Sequence, residues 1–542
     1  MGMPQRIAVP ATLILKNARV WTVDPRLPQA QAVAIRGNTV AAVGRDEEME
    51  PLIGPGTRVL DLRGQLLLPG FHDAHTHWVW ALLREWGGFS LYGVRTVPEA
   101  QRIVAAFARE HPDADWLLGS RWDANRFQGG HWPTRADLDA VVPDRPVAIR
   151  DLDGHSAWVN SAALRRLGYH RDAPDPPGGR IVRDADGEPT GILLENAHEA
   201  LPSPPVPPPE RFRALLREGA AALNRLGLTS LCNNGLPPGG FEEIVRLAEE
   251  GGLTVRLSEW PSLEALEEAQ AMRRRVRESE HVRVVGLKAM LDGVFSAHTA
   301  WMLEPYADAP GNTGFPLIDP ETLFLQALRA DAAGFQVILH TIGDRAVREA
   351  LNLLARVQER NGRRDSRHRL EHIERAHPDD LPRFARMGVI ASMMPQHATS
   401  HVEDYVRSRL GEARSATAYP WRALLEQGAH LCFGSDWPAI DLVAPNPLEQ
   451  LYVAVTRATG PDHRGAPWHA EQALSAAEAI RCYTLEGAYA EFTEDRKGSI
   501  TPGKLADLCV LSQDILEPPP ERILEAEVTL TVFDGEVVYR KE

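Results

Sequence analysis

Cysteine is scarce: Cys232, Cys432, Cys482 and Cys509 are the four in 542 residues, and no two of them form a CxxC pair. That excludes a disulfide-stapled scaffold and a thiolate zinc knuckle, and it fits a reducing compartment. Long basic runs are missing too. The formal charge of -15 creates a field that repels phosphate backbones, so nucleic acid is not expected as a partner. No stretch is long and apolar enough to span a bilayer, and residues 1–10 lack the uninterrupted apolar run of a secretion signal. Arg6 stands where a myristoylation motif needs Ser or Thr. A cytoplasmic protein without membrane contact is therefore expected. A serine-nucleophile motif is absent as well.

What is present is ordinary globular composition, 44% hydrophobic and 25% charged, in a chain too long for one core. Residues 1–65 read as short strands at 12–18, 32–36, 39–43 and 58–62, with Gly37-Asn38 as a hairpin turn. Residues 491–542 answer with strands at 507–511, 528–533 and 536–540 and the turn Asp534-Gly535. Neither end can hold a core alone, so they are expected to join. The middle, 66–490, alternates strand and helix, with strands at 66–71, 228–232, 254–260, 282–290, 336–340, 369–373, 389–393 and 430–433. In the helix expected over 343–358, Asp344 is the N-cap and Val347, Leu351 and Leu354 share a face.

The predicted fold class is α/β: a distorted TIM (β/α)8 barrel, a composite β-sandwich domain built from both chain ends, and an inserted α+β subdomain over 78–209. The insert carries strands near 116–119 and 147–150, a turn-rich stretch at 174–187 and a proline-rich spacer at 202–209.

The chemistry begins at Leu66-Leu67-Leu68-Pro69-Gly70-Phe71-His72-Asp73-Ala74-His75-Thr76-His77. Residues i and i+2 of an extended segment point the same way, so His75 and His77 can grip one ion while Thr76 faces away. Alone, the pair is equally consistent with two hydrogen-bonded histidines at a barrel rim. Other ligand types stand at other predicted strand ends: Lys288, His340, His372 and Asp436. A barrel gathers such ends at one mouth, and five distant stretches meeting there point to a metal site.

With these residues in view, the chain resembles the amidohydrolase superfamily, most closely its YtcJ-like branch, related to N-substituted formamide deformylases. Besides the His-x-His stretch, the resemblance rests on Gly154-His155-Ser156-Ala157-Trp158-Val159-Asn160, Leu303-Glu304-Pro305-Tyr306, His340-Thr341-Ile342-Gly343-Asp344-Arg345-Ala346, Phe433-Gly434-Ser435-Asp436 and Pro502-Gly503-Lys504-Leu505-Ala506-Asp507-Leu508. It implies a divalent metal, zinc best suiting the ligands, with iron, manganese and nickel compatible. His75 and His77 would hold a first ion and His340 and His372 a second, with Lys288 bridging them as a carbamate. The alternative is a single ion beside an unmodified Lys288.

The implied reaction is hydrolysis of a non-peptide carbon–nitrogen bond, an amide or N-substituted formamide, through a metal-activated hydroxide, with Asp436 as ligand and acid/base. Its partner is then a small amide-type molecule, and a homodimer is compatible. Candidate substrate contacts are His397, His155 and His298; His298 stands where relatives carry Arg. Ester or lactone hydrolysis, ring deamination and a non-catalytic ligand-binding homologue remain the alternatives.

Overall fold

The computed structural model describes residues 9–542 except 85, 124, 126, 128–131, 401–404, 440–443, 461–463 and 518. Residues 1–8, part of the stretch read for a leader, lie outside the described residues. No described helix is long and apolar enough to cross a membrane.

Both chain ends build one sandwich. One sheet runs Thr39–Gly44, Ala32–Arg36, Leu13–Lys16, Arg58–Asp61; the other runs Glu536–Arg540, Val528–Phe533, Leu508–Leu511, Leu66–Pro69, Arg19–Trp21, Gln29–Ala30. Leu15, Val20, Val33, Leu67, Val510 and Val532 share the core between them, which is how two small segments obtain enough buried apolar surface to be stable. The strand expected over 66–71 is divided. Leu66–Pro69 pairs antiparallel with Leu508–Leu511 in the sandwich, and Phe71–Thr76 is the first barrel strand. Gly70 marks the switch, because a Cβ there would lie 2.3 Å from Thr229 Oγ1. Both pieces are buried at every position, so the apolar run gives no phase by which to separate them.

The barrel continues with Leu228–Asn234, Arg256–Trp260, a split fourth strand, Gln336–Thr341, Arg369–His372, Ile390–Met393 and Leu431–Phe433. In the fourth, Val282–Arg283 pairs with Arg256–Trp260, whereas Gly286–Met290 pairs with Gln336–Thr341. The Lys288 backbone bridges the gap, donating to Pro261 O at 2.9 Å and accepting from Leu263 N at 2.8 Å. Closure between the last and first strands is made by the loop that follows Phe433. Asp436 N–H donates to His75 O and His77 N–H to Trp437 O, both at 2.8 Å. Gly434 permits the approach, since a Cβ there would stand 2.5 Å from His75 N.

The helix Asp344–Asn361 buries Val347, Leu351 and Leu354 as expected, but its N-cap is Gly343. Asp344 lies inside the first turn, where its Oδ1 accepts Leu303 N–H at 2.8 Å. Holding the neighbouring loop takes the carboxylate from the capping role.

The insert forms a six-stranded sheet in the order Gly179–Arg183, Pro189–Glu195, Ser156–Val159, Val147–Asp151, Leu117–Trp122, Phe89–Ser90. Gly179–Arg183 lies inside the stretch expected to be turns, because Asp184–Gly187 alone closes the hairpin to Pro189–Glu195. Trp122, Trp158 and Ile192 belong to a core separate from the barrel's. Residues 202–208 carry neither helix nor strand.

Candidate metal centre

His75 and His77 leave the first strand toward the mouth, while Thr76 turns away and donates to Cys232 O at 2.9 Å. Each imidazole is held at one nitrogen and presents the other. His75 Nδ1 meets Glu371 Oε2 at 2.6 Å, and His77 Nδ1 meets Asn234 O at 2.9 Å. Both Nε2 atoms lie 3.3 Å from Asp436 Oδ1. Across that carboxylate, His372 Nδ1 is 3.9 Å and His397 Nε2 3.6 Å from Oδ2.

Two of these residues sit in left-handed backbone, Asp436 at φ 57° and His372 at φ 71°, a conformation that costs a non-glycine residue on the order of 1 kcal/mol or more. At His372 the geometry has a use: it breaks strand alternation, so that adjacent Glu371 and His372 both serve the centre.

His340 completes the cluster, its ring 4.4 Å from that of His372. Burial holds His340 and His372 well below the usual histidine range, so both keep a lone pair for a ligand. Burial opposes charge on Asp436, yet the His75 and His77 imidazoles beside it hold it well below the usual carboxylate range. Lys288 is 5% exposed, with its Nζ 5.9 Å from the Trp260 ring centre. Burial lowers it to about 8 against the pull of Glu371 and Asp436.

His372 Nδ1, His397 Nε2, Asp436 Oδ1 and Lys288 Nζ are all buried without a hydrogen-bond partner among the described residues. Orphaned buried groups cost about 1–3 kcal/mol each. Imidazole and carboxylate lone pairs gathered around one point are the donor set a divalent cation satisfies, and His75, His372 and Asp436 lie close enough together to share one. The residues fit the metal.

His155 enters from the insert, its ring 5.2 Å from that of His340. Its Nδ1 meets Glu195 Oε2 at 2.8 Å. Burial works against the imidazolium, but Glu195, Asp153 and Asp151 outweigh it and raise His155 to about 10. His397 has a similar support: its Nδ1 is 3.2 Å from Glu374, which accepts Tyr419 O–H at 2.8 Å. Burial opposes its charge too, and Glu374 with Asp436 raises it. His298 is the exception among the expected residues. Its Nε2 pairs with Asp308 at 3.0 Å, and its ring packs edge-on against Tyr306; neither contact joins it to the cluster. A carboxylate ten residues on in sequence supplies the partner that a substrate was expected to be.

Sequence reasoning passed over the buried acids behind the site. Asp292 accepts N–H groups of Trp301, Ile342 and Gly343 at 2.9–3.0 Å, and burial raises it to about 8. Asp73 accepts from His75 N at 3.2 Å and Ser435 N at 2.9 Å, tying the strand of His75 to the loop of Asp436. Glu371 and Glu374 flank His372 in Leu370-Glu371-His372-Ile373-Glu374, and that proximity was the available signal.

A (β/α)8 barrel whose mouth gathers histidines around a buried carboxylate defines a hydrolase of the metal-binding barrel class. The chain belongs to the amidohydrolase family, whose sequence profile matches residues 58–539. It is 30% identical to the putative amidohydrolase YtcJ of Bacillus subtilis over 96% of this chain and 98% of that protein. It is 29% identical to the N-substituted formamide deformylase of Arthrobacter pascens over 98% of each. In fold it is similar to an uncharacterized metal-dependent hydrolase of Pyrococcus horikoshii, with TM-score 0.72 and 23% identity over 94% of this chain and 99% of that one.

Proposed function

We propose that the chain hydrolyses the carbon–nitrogen bond of an N-substituted formamide or a related small amide, with His75, His77, His340, His372 and Asp436 holding one or two divalent ions, zinc foremost. The observation that carries this reading is the convergence of the His75, His77, His372 and His397 nitrogens on the buried Asp436 carboxylate, where His372 Nδ1, His397 Nε2 and Asp436 Oδ1 are left without hydrogen-bond partners among the described residues. When bound, such an ion supplies a Lewis acid and acidifies water. Asp436, ionised between His75 and His77, takes the proton of the attacking water and passes it to the departing nitrogen, the leaving group most in need of it. Lys288 is the residue that could join as a carbamate. Its buried ammonium, lowered to about 8, gives up one proton; the resulting amine nitrogen bonds to the carbon of CO2 as one C–O π bond opens, and a second N–H proton leaves to solvent, so that the carbamate would offer an anionic oxygen. His155 and His397, raised toward the charged form, flank the substrate carbonyl, and the insert thereby contributes to specificity. The likeness to the Arthrobacter pascens deformylase favours a formamide over an ester or a ring amine.

The test is a panel of N-substituted formamides, esters and ring amines offered to metal-analysed protein, with formate, amine, alcohol and ammonia measured. Asp436→Asn is expected to lower kcat by roughly 10²–10⁴-fold, while His75→Ala lowers bound metal. Metal-loaded protein that releases no amine from any member would overturn the reading.

A further inference from the structure

The barrel interior below the centre is charged where apolar layers are usual. Arg369 and Glu371 are both fully buried and share a face of the sixth strand two residues apart. Arg369 Nε donates to Glu371 Oε1 at 2.9 Å and Nη2 reaches Oε2 at 3.4 Å. The same Nη2 donates to Ala74 O and Ser392 Oγ, both at 2.8 Å, and the guanidinium lies 4.5 Å from the Trp260 ring centre. His75 is therefore held at two points: Arg369 fixes the backbone just before it, and Glu371 fixes its ring.

We propose that Glu371, locked by Arg369, is the positioning residue that selects Nε2 of His75 as the metal-facing nitrogen. The inference rests on the proposed metal centre. An ionised carboxylate only accepts, so Nδ1 must carry the hydrogen, and the lone pair is left on Nε2 facing Asp436. The guanidinium cancels the carboxylate's charge, so the barrel holds this acid without a net buried charge, and the carboxylate's second oxygen is fixed. A carboxylate behind a ligating imidazole also makes the ring a better donor, and loss of such a partner typically weakens metal binding 10–100-fold.

The experiment measures zinc affinity of the full chain by competition with a chromophoric chelator, together with the visible spectrum of the cobalt-loaded protein. Glu371→Gln is expected to weaken zinc binding 10–100-fold and to alter the cobalt spectrum, with the far-ultraviolet dichroism retained. Glu371→Asp should recover part of the affinity. Arg369→Met should weaken binding in the same direction; should it fail to fold, Arg369→Lys takes its place. Wild-type protein that binds zinc while Glu371→Gln binds equally tightly, with an unchanged cobalt spectrum, overturns this proposal alone. Wild-type protein that binds no metal overturns the centre itself.

Discussion

His340 and His155 face each other across the mouth with ring centres 5.2 Å apart, yet they are supported in opposite ways. His155 has the Glu195 carboxylate behind it and is raised to about 10. His340 has the Gly293 carbonyl 3.3 Å from its Nε2, with Asp292 Oδ1 farther off at 3.9 Å, and burial holds it well below the usual histidine range. His397, backed by Glu374, resembles the first; His372, with an orphaned Nδ1, resembles the second. Neighbouring imidazoles thus differ: burial lowers His340 and His372, whereas a hydrogen-bonded carboxylate raises His155 and His397. His75 joins the two groups, because its carboxylate is itself neutralised by Arg369.

The heaviest blow to that division should come from His340→Ala. A ligand that exceeds its Kd 100-fold stabilises the folded state by about 2.7 kcal/mol; the wild type should lose that increment on treatment with a chelator. His340→Ala should show little or none of it. Denaturant melts with and without zinc decide the matter, and an undiminished increment would remove His340 from the ligands.

Glu195→Gln probes the charged side. His155 ionises in the folded state near 10 and unfolded near 6.5. Its proton therefore adds stability that is complete below about pH 6.5 and is lost as the pH rises toward 10. The substitution should cost about 3 kcal/mol at pH 6 and progressively less by pH 9.5. A cost independent of pH would mean that Glu195 supports His155 sterically and not by charge.

Tyr419→Phe is the finest cut. It removes the O–H donated to Glu374 at 2.8 Å, worth about 1.5 kcal/mol for a bond to a charged group. Urea midpoints should register that loss, while kcat changes by a few-fold at most and zinc affinity stays as it was.

The residues gathered at the barrel mouth were legible in the sequence because their types are rare at strand ends and their spacing follows the strand period. His75, His77, His340 and His372 could each be placed from a short apolar run ending in a ligand type. Their supports could not. Glu371, Glu374 and Glu195 look like surface acids locally, and their burial follows from partners far away in the chain: Glu195 lies 104 residues from Thr299, and Glu371 lies 296 from His75. The division at Gly70 was hidden for another reason, since a run buried on both faces looks the same whichever sheet it joins. His298 was singled out by the resemblance and not by strand period: the fourth strand ends at Met290, and in the loop beyond it the His298 ring is set by Asp308 and Tyr306.

The antiparallel pairing of Leu66–Pro69 with Leu508–Leu511 carries a consequence for biosynthesis. The anchor of the strand bearing His75 leaves the ribosome more than 400 residues after that strand, and contacts so remote in sequence form slowly. Until Leu508–Leu511 emerges, Leu66–Pro69 has only Arg19–Trp21 as a strand partner among the described residues, so the sandwich half of this run stays an open edge while the barrel forms.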